Sequence, residues 1–226
     1  MSRTEDPSPR TGIKPERKGF AWNSENTIDY AQRSTLSLDD GLLKASMDGR
    51  RSIRSQGPIS VADAAVVLRE TFRTTFFGAG DLEGRRRKRL VSAGAIHPVK
   101  CLIVTGAGEI IFYNDEDDCF ESIAPTAPSE VRSFLSECLE VIPGVNGCFL
   151  VLLADTRDSQ ALYSNYQSLL WRDAGAALQT MALISTTLGL AFCPLGILGQ
   201  GLVDALLPSG HTAIGVGVAA LGSMAP

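Results

Sequence analysis

The chain has 226 residues, of which 44% are hydrophobic and 20% charged, and its formal net charge is −4. These values are typical of a globular protein with one main core, and the acidic balance argues against a protein dedicated to nucleic-acid binding. The scattered cysteines form no C-x-x-C pair, and there are only two histidines, which argues against zinc and iron–sulfur sites. We therefore expect no metal site, and reduced thiols in a cytoplasmic protein. The cysteines are Cys101, Cys119, Cys138, Cys148 and Cys193.

The N-terminal segment is rich in Pro, Arg, Ser and Glu and lacks the apolar stretch of a secretory signal. Its low hydrophobicity and mixed charge predict a disordered leader over residues 1–20. The remaining residues, 21–226, are expected to form a single domain.

Helical periodicity and terminal residues predict five helices. They run over Leu38–Asp48, Ser60–Phe72, Ser129–Leu139, Leu169–Leu190 and Leu202–Leu207. The second begins with a capping arrangement, in which Ser60 is the N-cap and Asp63 lies three residues later.

Four apolar runs predict strands, with the third long and continuous enough to be central and buried on both faces. They are Val99–Thr105, Glu109–Tyr113, Cys148–Ala154 and Ala213–Leu221. Gly106, Ala107 and Gly108 between the first two favour a hairpin. The Gly-rich, charged segment Phe77–Lys88 is expected to be a loop.

No charged residue lies between Asp173 and Asp204, so this interval could be read as a membrane span. Polar residues such as Gln179 and Thr180 interrupt the interval, while Gly189 and Pro194 limit its helix to roughly 18 residues. We therefore expect a helix buried in the core or in a subunit interface, and no membrane span.

A compact cationic segment contains Arg50, Arg51, Ser52 and Arg54. Guanidinium and hydroxyl groups at this spacing can bind a phosphate-bearing cofactor. The alternative is a solvated cluster that compensates the dipole of the preceding helix.

A small-residue segment, Ser92-Ala93-Gly94-Ala95, precedes the strand at Val99. Small residues let backbone approach a flat ring closely, although a plain turn before a strand has the same composition. His97 is either close to such a ligand or a hydrogen-bonded structural histidine. The run Arg85–Arg89 has no interleaved aromatic residue and is interpreted as a solvated loop.

These segments resemble, in order and spacing, the flavin-binding framework of the nitroreductase superfamily, and most of all its FMN-dependent azoline dehydrogenases. The resemblance is completed by Asp173-Ala174-Gly175 and by Leu188-Gly189-Leu190 leading to Pro194-Leu195-Gly196. It implies an α+β fold with a mainly antiparallel sheet flanked by helices. It also implies a long buried helix at a homodimer interface, with each FMN bound by both subunits.

The resemblance further implies roles for individual residues. Arg50, Arg51, Ser52 and Arg54 would contact the phosphate, ribityl chain and pyrimidine edge of FMN. Ser92, Ala93, Gly94 and Ala95 would contact the flavin, with His97 near the ring or the substrate. Pro194, Leu195, Gly196 and Ile197 would form a turn whose amides face flavin N5 and O4. Tyr163 or Tyr166 would transfer the proton.

The implied function is oxidation of a heterocycle or amino-acid-derived group, in a small-molecule or peptide substrate, by hydride transfer to flavin N5. A cyclodehydratase is a possible partner. The chain has Leu162-Tyr163 where the azoline dehydrogenases have a Lys-Tyr pair, and it ends at Ala225-Pro226 without the basic residues of many nitroreductases. Two alternatives follow: an NAD(P)H-dependent nitro or quinone reductase, and a flavin-poor subunit that binds a peptide or a partner enzyme.

Overall fold

The computed structural model of the chain describes residues 8–9, 24–28, 30, 43–84 and 86–225. Its strands are β1 (Ser8–Pro9), β2 (Ser24–Ile28), β3 (Gln56–Gly57), β4 (Thr74–Phe77), β5 (Arg86–Lys88), β6 (Val99–Thr105), β7 (Ile110–Asn114), β8 (Cys119–Ile123), β9 (Cys148–Asp155), β10 (Tyr163–Ser164), β11 (Leu190–Leu195) and β12 (Ala213–Met224). The helices are α1 (Leu43–Gly49), α2 (Val61–Phe72), α3 (Pro128–Val141), α4 (Arg157–Leu162), α5 (Gln167–Thr187) and α6 (Gln200–Leu206).

One antiparallel sheet forms the centre of the fold, with strand order β11-β12-β9-β6-β7-β8-β2 and β3 paired to the end of β12. β9 lies between β12 and β6, and its side chains are buried from Cys148 to Ala154. The sequence prediction of a central, fully buried strand is therefore confirmed. The predicted hairpin between β6 and β7 is also confirmed, with Leu102 opposite Phe112.

Helices cover both faces of this sheet, which explains why its central strands are apolar on both sides. α2 and α5 bury one face, where Leu68, Phe72 and Met181 pack on the strands. α3 and α6 bury the other face, where Phe134 and Leu206 belong to a second apolar cluster.

Local capping sets the start of α2 as the sequence predicts. The Asp63 N–H donates to Ser60 Oγ at 3.0 Å, and the Ser60 hydroxyl donates to Asp63 Oδ2 at 2.7 Å. In the second bond the hydroxyl hydrogen points to the carboxylate, so a lone pair of Ser60 Oγ remains for the first bond, which satisfies one of the free N–H groups at the helix start.

Three predicted segments differ from the structure. The helix predicted to run to Leu190 ends at Thr187, because Gly189 (φ +69°) turns the chain into strand β11. The segment Phe77–Lys88, predicted to be a loop, instead contributes to a two-stranded ribbon of β4 and β5. The strand predicted to end at Leu221 continues to Met224 and lies inside the sheet, between β11 and β9.

The predicted leader over residues 1–20 lies outside the described residues except for β1, which pairs with β10. The first part of the predicted helix Leu38–Asp48 also lies outside them, and α1 is its described part. Within the described ranges, no helix is long and apolar enough to cross a membrane.

Candidate functional site

The cationic segment lies along the edge of the sheet. The Arg50 N–H continues the hydrogen bonding of α1 by donating to the Ser46 carbonyl at 2.9 Å. Three residues later, the Ile53 N–H donates to the Phe192 carbonyl of β11 at 3.0 Å. This bond fixes the segment beside β11, and it leaves Arg51 and Arg54 exposed.

The arginines of this segment are available for a ligand. Among the described residues, no carboxylate forms an ion pair with Arg50, Arg51 or Arg54. The Ser52 side chain is also exposed. Three guanidinium groups and one hydroxyl within five residues are a suitable donor set for a phosphate group.

The segment Pro194–Ile197 begins two residues beyond Phe192, in the last residues of β11, and turns away from the strand. Gly196 is exposed, a β-carbon there would meet nothing within 4 Å, and its N–H donates to none of the described residues. Ile197 is buried and anchors the turn in the second apolar cluster.

Burial raises the pKa of the Cys193 thiol while the charge of Arg54 lowers it, so Arg54 lies near this end of β11. We call Arg50–Arg54 and Pro194–Ile197 the β11 group.

A second group forms around the small-residue segment. Ser92 leads into a short 3-10 turn, and Gly94, Ala95 and His97 have φ values of 60°, 53° and 52°. A β-carbon on Gly94 would lie 2.5 Å from the Tyr163 hydroxyl oxygen. The structure therefore brings the predicted residues Gly94 and Tyr163 together. We call Ser92–His97, with Tyr163 and Asp173, the turn group.

Hydrogen bonds fix the shape of this turn. The Ser92 hydroxyl donates to Asp173 Oδ2 at 2.6 Å, and it accepts the His97 N–H at 2.9 Å. The Asp173 carboxylate also accepts the backbone N–H of Ala93. Burial raises the pKa of Asp173, and the bonds from Ser92 and Ala93 oppose that shift. The sequence pattern included Asp173 in the helix motif but gave it no role in the site.

His97 projects towards a buried charge cluster. Its ring donates to the Arg86 carbonyl, and its pKa is lowered to about 4, first by burial and then by the charge of Lys88. The imidazole is therefore neutral near pH 7. These contacts favour the interpretation of His97 as a hydrogen-bonded structural residue.

Two lysines share one carboxylate in that cluster. Lys88 Nζ lies 2.5 Å from Asp115 Oδ2, and Lys100 Nζ contacts Asp115 Oδ1. The side chains of Lys88 and Asp115 are 2% and 1% exposed. Thr74 adds a hydroxyl at 3.3 Å from Asp115 Oδ2. Because burial and the neighbouring charge of Lys100 disfavour its ammonium form, the pKa of Lys88 is lowered to about 8.

The sequence pattern predicted a solvated loop for the basic run Arg85–Arg89. In the structure, several side chains of this run are instead paired with carboxylates. Besides Lys88, Arg86 pairs with Glu116 and Arg89 pairs with Glu70. Arg85 lies outside the described residues. The partners are distant along the chain, which is why the local pattern of the run does not reveal them.

Tyr166, the other predicted proton-transfer residue, is placed differently from Tyr163. It is partly buried against the apolar cluster formed by α2 and α5. Its carbonyl accepts the N–H of Leu169 at 2.9 Å. Of the two tyrosines, Tyr163 is the one whose hydroxyl faces the turn group.

The two groups lie at opposite ends of α5. Asp173, near the start of this helix, holds the turn group, while Thr187, at its end, hydrogen-bonds Ser46 just before the β11 group. At 1.5 Å per residue, these two contact points are roughly 20 Å apart along the helix axis. The structure thus assembles the predicted site residues into two groups within one chain.

No protein-family model and no curated protein matches this chain at a significant level, but solved structures do. A proposed nitroreductase from Ralstonia eutropha JMP134 has a TM-score of 0.64, with 17% identity, over 98% of this chain and 100% of that chain. A component of the Escherichia coli microcin synthetase McbBCD complex, solved with truncated pro-MccB17 bound, has a TM-score of 0.58 and 13% identity, over 95% of this chain and 80% of that chain.

The chain has a nitroreductase-like fold. A third structure of similar fold, a proposed nitroreductase from Desulfovibrio desulfuricans in complex with FMN, has a TM-score of 0.51 and 20% identity, over 81% of this chain and 87% of that chain. The predicted α+β class, with an antiparallel sheet flanked by helices, is confirmed. Within the described part of this nitroreductase-like chain, no group of three or more His, Cys, Asp or Glu residues is arranged to hold a metal ion.

Proposed function

We propose that the protein is an FMN-dependent oxidoreductase that works as a homodimer. The observation that carries this proposal is the β11 group, in which three arginines without a carboxylate partner among the described residues lie on the same strand edge as the Gly196 turn. A phosphate-bearing flavin needs cationic donors for its phosphate and amide donors for its ring, and this group offers both.

Bound FMN would supply the hydride acceptor for the reaction. Arg50, Arg51 and Arg54 would hold the phosphate, and the free amide of Gly196 would stabilise negative charge at the ring edge. Gly94 has no side chain, so backbone could approach the flat ring. The Tyr163 hydroxyl beside Gly94 would hold or release a proton at the phenolic oxygen.

The separation of the two groups supports a homodimer. Because the groups lie roughly 20 Å apart along α5, a two-fold partner that presents its turn group to the β11 group would bring both groups to one cofactor. We infer that each cofactor is bound by the β11 group of one protomer and the turn group of its partner.

Exposed apolar side chains support this arrangement. In the described part of the chain, seven of the nine large apolar side chains that are exposed lie in segments next to the two groups. Met47, Leu198 and Met224 adjoin the β11 group, and Phe76, Phe77, Val91 and Trp171 adjoin the turn group. Such clustering is typical of an interaction surface.

The substrate class we propose is a heterocycle or an amino-acid-derived group in a peptide or natural-product pathway. Two observations support it: the similarity in fold to the microcin synthetase component, and the Tyr163 hydroxyl at the turn group. A cyclodehydratase would be the partner that makes such a heterocycle.

The test is the visible absorption spectrum of the purified protein, recorded before and after addition of FMN and after gel filtration. We expect flavin bands that remain with the protein and are lost in Arg54→Ala. Arg132→Ala, which removes an exposed arginine from α3, is the matched control and should retain them. A folded dimer that retains no flavin would contradict the proposal.

One observation favours a second candidate, a flavin-poor binding subunit. Leu162 precedes Tyr163 at the position where the resembled family has a lysine, and it offers no cationic or proton-transferring group. A purified protein that is folded but colourless, and that retains no added FMN after gel filtration, would favour this candidate. Rapid bleaching by NAD(P)H alone would instead indicate a nitro or quinone reductase.

A further inference from the structure

The turn group contains an unusual concentration of left-handed backbone. Gly94, Ala95 and His97 all have φ between 52° and 60°. Glycine tolerates this conformation, but alanine and histidine adopt it at a cost. A segment with two such residues close together keeps its shape only where surrounding contacts hold it.

Those contacts converge on one carboxylate. Asp173 accepts the Ser92 hydroxyl at 2.6 Å and the backbone N–H of Ala93. Ser92 Oγ in turn accepts the His97 N–H at 2.9 Å. Asp173 therefore acts on both ends of the left-handed segment, directly at Ala93 and through Ser92 at His97.

Stabilisation of α5 does not by itself account for a carboxylate at the position of Asp173. It lies beyond the first turn of the helix, so it gains little from the helix dipole, and it is only 8% exposed. A buried carboxylate is costly unless it is hydrogen-bonded. The Asp173 carboxylate is hydrogen-bonded to Ser92 and Ala93, both in the turn group.

We propose that Asp173 is a positioning residue, whose carboxylate holds the Ser92–His97 turn in the left-handed shape that places Gly94 against the Tyr163 hydroxyl. This inference rests on the proposed function, in which Gly94 also faces the flavin ring. Tyr163 and Asp173 flank the turn from neighbouring elements, β10 and α5. Loss of the carboxylate therefore releases the turn from its contact with Tyr163 while the core around α5 stays in place.

The first test needs no cofactor. Hydrogen–deuterium exchange of the free protein should show at least tenfold faster exchange over residues 92–98 in Asp173→Ala, with β9 unchanged. Asp173→Asn keeps an oxygen that can accept the Ala93 N–H, so it should restore a large part of the protection. Glu140→Gln, which neutralises an exposed carboxylate on α3, should exchange like the wild type.

The second test uses FMN as the probe. We expect Asp173→Ala to weaken FMN binding at least tenfold and to shift the visible flavin bands, and Asp173→Asn to recover most of both. Unchanged exchange over residues 92–98 in Asp173→Ala would overturn the proposal. Faster exchange with wild-type FMN affinity and spectrum would overturn the link to the flavin. If the wild type itself binds no FMN, the proposed function fails, and the exchange data still decide whether Asp173 holds the turn.

Discussion

The Tyr163 hydroxyl lies against Gly94, 2.5 Å from the point where a β-carbon would stand. This contact joins a residue of β10 to the turn before β6, across 69 positions of sequence. It shows that position 94 requires glycine for two separate reasons, the left-handed backbone (φ 60°) and the space that the tyrosine occupies.

Gly94→Ala should therefore destabilise the fold. The left-handed conformation costs a residue with a β-carbon about 1–2 kcal/mol, and the contact with Tyr163 adds to it. Tyr163→Phe removes the hydroxyl oxygen but leaves the backbone strain. Urea unfolding of both single variants and the double variant should show a smaller cost of Gly94→Ala in the phenylalanine background. Equal costs in both backgrounds would mean that the hydroxyl does not limit the space at position 94.

Substitutions of different residues in the charge cluster should lower the free energy of unfolding by different amounts. Asp115→Asn leaves the ammonium groups of Lys88 and Lys100 without their shared carboxylate, and breaking a buried pair in this way costs about 3–5 kcal/mol. Lys88→Met leaves a one-to-one pair of Asp115 with Lys100 and should cost far less. Chemical denaturation of the two variants measures the difference, and a larger loss for Lys88→Met would contradict this account.

The acid side of the stability profile should depend on His97. Its pKa is lowered from 6.5 to about 4, mainly by burial, so between these values the unfolded chain binds more protons than the folded one. Stability from this residue is therefore present above pH 6.5 and is lost as the pH falls towards 4. The melting temperature of the wild type should fall as the pH is lowered through this interval. His97→Asn, whose side chain is tolerated at positive φ, should make that fall smaller. Identical plots of melting temperature against pH for the two proteins would contradict the role of His97 in this loss of stability.

Lysine substitutions on the proposed dimer surface should disrupt the dimer, whereas a similar substitution elsewhere should not. Phe77→Lys and Trp171→Lys introduce charges beside the turn group, at side chains that are 54% and 45% exposed. Both should convert a dimer to a monomer and reduce FMN affinity together. Leu139→Lys, at a side chain 42% exposed on α3, is the control and should do neither. Light scattering after gel filtration measures the state, and a dimer that survives both substitutions would place the interface elsewhere.

The cap of α2 offers a test that is independent of any function. Ser60→Ala removes the oxygen that accepts the Asp63 N–H and should cost about 1 kcal/mol in the free energy of unfolding. Ser133→Ala, at an exposed position within α3, should change stability by less than about 0.5 kcal/mol.

Much of the fold follows from local pattern. The Ser60 cap, the hairpin from Val99 and the buried strand from Cys148 each depend on residues adjacent in sequence, and the structure has all three. The strand at Leu190 could not be separated from the helix before it, since both belong to one apolar stretch whose periodicity fits either structure.

The site was predicted less completely, for a different reason. The resemblance indicated Gly94 and Tyr163 separately, but only the tertiary structure brings them into contact. Likewise, burial of Lys88 depends on Asp115, 27 residues away, and no local signal marks that pairing. Partnerships that form between distant elements determine which polar residues are buried.

The pairing of the basic run has a consequence for how the protein behaves on a column. Arg86, Lys88 and Arg89 are each matched by a carboxylate of the same chain, so solvent meets far less positive charge than five consecutive cations suggest. We expect the protein to pass through heparin and cation-exchange resins at neutral pH and to bind an anion exchanger, as its net charge of −4 dictates.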